Sequence, residues 1–170
     1  MNSHFTVTIL FLCWLYLFRN PNFYFVRNLM MAAMVIALIG YQFLPTMPPR
    51  FVPGAAIADT ISTIGGVHRD DAAVKALINP YAAIPSMHVC FALIVGFTCL
   101  RLVKRRPLAW AWLLNPALVT CVVIATGNHY WLDAVLGGLT AMLALAGARV
   151  MAGWRQEAWS FESAGEEATA

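Results

Sequence analysis

The chain has 170 residues, 61% of them hydrophobic and 11% charged, and its mean hydropathy is +0.69. Soluble domains carry roughly a quarter charged residues, so this deficit excludes an ordinary soluble core and calls for lipid as the solvent. The net charge of +3 is small. No basic stripe interleaves with aromatic residues, which excludes nucleic acid as a partner.

Five apolar runs follow in chain order, at about Phe5–Phe18, Val26–Leu44, Met87–Leu102, Leu108–Ala125 and Leu132–Ala148. A transmembrane helix takes about 20 residues. Backbone in hydrocarbon must satisfy its own hydrogen bonds, so each run is expected to be a helix. The expected fold is therefore an all-α polytopic membrane bundle of about five transmembrane helices over residues 1–152. A disordered cytoplasmic tail rich in Glu, Ser, Gly and Ala is expected over 153–170. The first run is short, and the second reaches spanning length only by taking in Arg27 and Asn28. Asn115-Pro116 predicts a kink in the fourth run, and Gly137-Gly138 predicts a close approach to a neighbouring helix in the fifth. No basic region precedes the first run and no Ala-x-Ala site follows it, so a cleaved signal peptide is not expected. Cys13, Cys90, Cys99 and Cys121 lie inside apolar runs without a Cys-x-x-Cys pair. They read as buried thiols rather than as disulfide partners or a zinc knuckle.

A long loop, residues 45–85, separates the second and third runs. Asp70-Asp71 at the front of an apolar pattern, with Asn79-Pro80 behind, predicts a short interfacial helix within it. A loop of this length in a compact domain usually carries function. If the runs alternate across the bilayer, Arg19, Arg27, Arg101, Lys104, Arg105, Arg106, Arg149 and Arg155 share one side. Only Arg50, Arg69 and Lys75 stand on the other. The positive-inside rule puts the larger set in the cytoplasm, so the long loop and the Thr126–Trp131 turn face outward. The plasma membrane is the expected location.

One acid, Asp133, occurs between Ala72 and Gln156. An ionisable group in a span costs several kcal/mol and is a functional candidate for that reason. His129 stands four residues earlier, so on a helix the two share a face. A carboxylate on one ring nitrogen leaves the other free as base or nucleophile. His88 lies just inside the third run, in Pro85-Ser86-Met87-His88. There Pro and Ser offer a fixed entry angle and an N-cap hydroxyl, and free N–H groups at a helix start suit phosphate. The third run starts on the outer face, the fourth returns to it and the fifth starts there, so His88, His129 and Asp133 are expected at one membrane depth. Zinc held by His88, His129, Asp133 and His68 is an alternative reading of the same residues.

Pro85-Ser86-Met87-His88 resembles the second motif, P-S-G-H, of the type-2 phosphatidic acid phosphatase superfamily. His129-Tyr130-Trp131-Leu132-Asp133 resembles the H-x-x-x-D of its third motif. Thr126-Gly127-Asn128-His129 and Asn79-Pro80-Tyr81 are similar especially to the inositol phosphorylceramide synthase-like branch. The resemblance covers about residues 26 to 148 and implies a lipid phosphatase or phosphotransferase that works without a metal or other cofactor. It implies His129 as the nucleophile that becomes phosphohistidine, Asp133 as its orienting partner and His88 as the acid and then the base. Ser86 and Asn128 would help hold the substrate, a phospholipid or polyprenyl phosphate. The family's third motif opens with Ser-Arg, but Val122 and Val123 occupy those positions here. Its first motif, K-x6-R-P, is absent, and Arg106-Pro107 lies on the wrong side to replace it. The site still needs cations, and the outward candidates are Arg50 after Pro48-Pro49, then Arg69 and Lys75. The family core usually has six helices against five here. A non-catalytic lipid-binding or transport protein is the rival reading, and the paired broken repeats that would mark a transporter are missing.

Overall fold

The computed structural model describes residues 2–54, 81–155 and 161. Among the described residues the helices are α1 (Asn2–Phe18), α2 (Asn20–Phe43), α3 (Met87–Leu102), α4 (Arg106–Ala111), α5 (Leu114–Ala125) and α6 (Trp131–Ala152), with a 3-10 turn at Pro49–Phe51. The described residues contain no β-strand, only an isolated bridge between Thr46 and Ala82. Three stretches are long and apolar enough to cross a membrane: Asn20–Phe43, Arg106–Ala125 and Trp131–Ala152. The chain is an all-helical integral membrane bundle. α1 and α3, with 17 and 16 residues, extend about 25 Å at 1.5 Å per residue, short of a hydrocarbon core of about 30 Å.

α3 lies at the centre and packs against α1, α2, α5 and α6. Its buried residues include Val89, Cys90, Ala92, Val95, Gly96, Cys99 and Leu102, so it is enclosed on most sides. Leu17, Leu38, Leu118, Val135 and Met142 are exposed on the flanks of the outer helices, the surface that lipid tails cover. Lipid supplies no hydrophobic drive between helices, so close contact of small residues holds such a bundle. The α3–α5 contact shows this. A Cβ added at Gly96 would stand 3.1 Å from Pro116 Cδ and 3.2 Å from the Trp112 carbonyl oxygen.

Several elements depart from the expected boundaries. α2 starts at Asn20, well before Val26, because Pro21 fits the first turn, where its missing N–H has no role. Arg27 is tolerated near that end because its guanidinium lies 5.2 Å from the Tyr24 ring centre and bonds to Asn28 Oδ1 at 2.9 Å. The fourth run breaks at Trp112–Leu113 into α4 and α5, since Pro116 can neither donate to nor clear the Trp112 carbonyl. Cys90 and Cys99 are buried, but Cys13 and Cys121 are exposed on apolar flanks, contrary to the reading of all four as buried. Phe161, in the segment expected to be disordered, packs edge-on against Phe25 with ring centres 5.4 Å apart.

The two ends of the long loop are tied together. Thr46 N–H donates to the Tyr81 carbonyl at 2.9 Å, and Ala83 N–H donates to the Thr46 carbonyl at 3.1 Å. Tyr41 donates its hydroxyl to the Pro85 carbonyl at 3.2 Å. The expected interfacial helix, with His68, Arg69 and Lys75, lies outside the described residues.

Candidate active site

The starts of α1, α3 and α6 and the ends of α2 and α5 meet at one end of the bundle. α3 begins at a corner, Pro85-Ser86, seated on α6. Ser86 N–H donates to the Asp133 carbonyl at 3.0 Å. Ser86 has no accessible surface, and its hydroxyl accepts from Val89 N–H at 3.5 Å as the α3 cap. Gly137 makes this seat possible, because a Cβ there would collide with the Ser86 carbonyl. Gly138 meets only Leu93 Cδ1, at 3.6 Å. The glycine pair therefore admits the corner as well as the helix expected beside it.

His129 precedes α6 instead of lying on it, so the expected shared helical face is not how it meets Asp133. Asp133 sits in the first turn and folds back over the helix start. Its Oδ2 accepts Tyr130 N–H at 2.9 Å and lies 3.3 Å from His129 Nδ1. One carboxylate thus caps the helix and grips the imidazole. The turn is held from below by the Val123 carbonyl, which accepts from Asn128 N–H at 2.9 Å and His129 N–H at 3.1 Å. Gly127 supplies the positive φ of 64° that the reversal requires. Asn128 is buried and its amide bonds to Thr126 Oγ1.

His88, half-buried on the first turn of α3, brings Nδ1 to 3.2 Å from His129 Nε2. With Asp133 accepting from Nδ1–H of His129, Nε2 carries the lone pair, and His88 Nδ1–H donates into it. Asp133, His129 and His88 form one continuous chain of hydrogen bonds. His129 and Asp133 are 6% and 0% exposed, so this chain works at low dielectric, where its electrostatics are strong. Burial pulls the His129 imidazole below its ordinary pKa, Asp133 opposes that shift and Arg50 reinforces it. Its neutral, nucleophilic form is favoured as a result.

Arg50 reaches this group from the 3-10 turn. Its N–H donates to the Gly127 carbonyl at 3.0 Å, so the Pro-Pro-Arg segment is docked on the histidine turn itself. The guanidinium covers the Phe51 ring at 4.4 Å, and its charge acts on both His88 and His129. At the family's Arg position, Val123 packs with Val89 and Ala134.

One residue escaped the sequence reading. His4, on the first turn of α1, is 7% exposed, and its ring centre is 5.5 Å from that of His88. Phe5 meets the same ring edge-on at 5.8 Å. Hydropathy places the first run from Phe5 and leaves His4 outside it. The available signal was topological, since α1 starts on the same side as α3 and α6.

Comparison with curated proteins and with solved structures returns no match. A family model described as PAP2 superfamily matches residues 2–147, which takes in both histidine motifs and α1 with His4. Those residues are most of the chain and all of its membrane bundle but the last turn of α6, and on that match the protein belongs to the PAP2 superfamily, a family of phosphatase type.

Proposed function

We infer that the chain cleaves or transfers the phosphoryl-type group of a membrane lipid through a phosphohistidine on His129. The observation that carries this reading is the chain of 3.3 Å and 3.2 Å contacts from Asp133 through His129 to His88. Asp133 fixes the tautomer and ring direction, leaving the Nε2 lone pair as nucleophile. Phosphorus must stand within about 3–3.5 Å of Nε2 to react. That is the place His88 Nδ1 takes, so His88 turns aside to admit it and ends beside the leaving oxygen. As the P–N bond forms, the P–O bond to the lipid breaks and His88 gives the departing oxygen its proton. His88 then takes a proton from water or an alcohol, whose oxygen attacks phosphorus and frees His129. Arg50 balances the charge that develops on the equatorial oxygens.

A site at the bundle end suits an amphiphile, whose head enters while its tails stay in lipid. The substrate class is a phospholipid or polyprenyl phosphate, met from the extracytoplasmic side; the Lys and Arg distribution supports that orientation. The Thr126–Asp133 motif and the valines at the family's Ser-Arg positions favour the inositol phosphorylceramide synthase-like branch. Where a bound alcohol such as inositol excludes water, it accepts the group and the outcome is transfer.

The test is phosphate release by the purified chain from diacylglycerol and polyprenyl phosphates, with and without inositol, wild type beside His129→Ala. Turnover by the wild type and none by the variant is expected. Equal turnover by both would rule out His129 as the nucleophile. Product carrying the added alcohol would assign transfer, and free phosphate alone would assign hydrolysis.

A further inference from the structure

We propose that His4 is a third histidine of the site, one that binds a non-bridging phosphoryl oxygen of the substrate. This inference rests on the phosphoryl-transfer reading above.

His4 has no part in the Asp133–His129–His88 chain, yet it is buried against it. Both of its ring nitrogens are buried without a hydrogen-bond partner among the described residues, and so is Nε2 of His88. Three orphaned nitrogens therefore belong to two rings whose centres are 5.5 Å apart. A buried polar group left without a partner is destabilising, and native structures contain few of them. In an apolar helix such as α1, leucine or phenylalanine would fill the same space at no such cost. The imidazole is explained if a ligand supplies the missing acceptor.

The ligand's chemistry follows from what surrounds it. An N–H of His4, the His88 N–H once that ring turns from His129, and the Arg50 charge acting on both catalytic-site histidines call for an anion with several acceptor oxygens. A tetrahedral phosphoryl group provides these, one for each donor direction. His4 packs on His88 outside the Asp133–His129–His88 chain, so it is assigned an oxygen whose bond to phosphorus neither forms nor breaks. It is a binding residue and does not share the proton transfers of His88.

The experiment uses the purified full chain and orthovanadate, a tetrahedral oxyanion that requires no turnover to bind. Affinity is read directly by calorimetry, and KM and kcat are read on a lipid phosphate. His4→Phe keeps the ring packing on His88 but removes both nitrogens. It should weaken vanadate binding by about tenfold or more, the range of a hydrogen bond to a charged group, and raise KM more than it lowers kcat. His4→Gln, which retains a donor, should recover part of the loss. The melting temperature of His4→Phe should be no lower than that of the wild type, because an orphaned polar group has been removed. Wild-type vanadate affinity in His4→Phe would overturn the proposal, as would failure of the wild type to bind vanadate. Absence of wild-type turnover with vanadate binding still sensitive to His4 would instead sink the phosphoryl-transfer reading and leave an anion site.

Discussion

Gly137→Ala changes one hydrogen for a methyl group, on a helix whose propensity it improves, and yet it should disable the site. Alanine stabilises an exposed helix by about 0.5–1 kcal/mol over glycine. Here the new Cβ would meet the Ser86 carbonyl and main chain, so backbone must move rather than a flexible side-chain end. Restoring ordinary contact requires the Pro85-Ser86 corner to retreat by about 1 Å, at about 1–3 kcal/mol of overpacking. The corner carries His88 two residues later, and its 3.2 Å contact with His129 would open beyond hydrogen-bond reach. A misplacement of about 1 Å in a reacting pair costs about a hundredfold in rate, or about 2.7 kcal/mol. The assay is kcat on a lipid phosphate with folding followed by melting temperature, and Gly138→Ala is the control. A Cβ at Gly138 makes only a 3.6 Å contact with Leu93, so that variant should turn over within about twofold of wild type. Full activity in Gly137→Ala, or equal losses in both variants, would refute the link between this seat and the histidine pair.

Arg50→Ala should cost about 3 kcal/mol of transition-state stabilisation, at least a hundredfold in kcat/KM, and Arg50→Lys should recover only part because an ammonium lacks the planar fork. Because Arg50 helps lower the His129 pKa, its removal should move the acid limb of the pH–rate profile upward; a downward shift would contradict the assigned geometry. If Arg50→Ala turns over normally while Arg69→Ala or Lys75→Ala fails, the cation comes from the long loop instead. His88→Ala should lose several orders of magnitude with an alkoxide leaving group and much less with nitrophenolate, and equal losses would remove its role as acid. A cysteine at exposed Trp131 should react with an impermeant thiol reagent in intact cells, while one at Lys104 should not; the reverse pattern would put the site in the cytoplasm.

Composition alone identified a membrane protein, because water cannot solvate a surface with so few charges. Runs of apolar residues located the helices to within a turn or two, and the basic residues predict a sidedness that thiol labelling tests. The two histidine motifs, with the single acid of that region, marked the candidate site, since an ionisable group in a span is costly unless something needs it. Tertiary structure decided how those residues meet. His129 reaches Asp133 through a capping turn, and Gly137 is a seat for the Ser86 corner rather than a helix contact alone. Arg50 hangs from the Gly127 carbonyl, and His4 arrives from the far end of the chain. Only the His129–Asp133 pairing has a local signal, its four-residue spacing; the other contacts have none. Hydropathy reports only exclusion from water, and in lipid a residue facing a neighbouring helix and one facing an acyl chain read alike. Which face of α1 turns toward α3, and so whether His4 meets His88, is set by packing between helices distant in sequence.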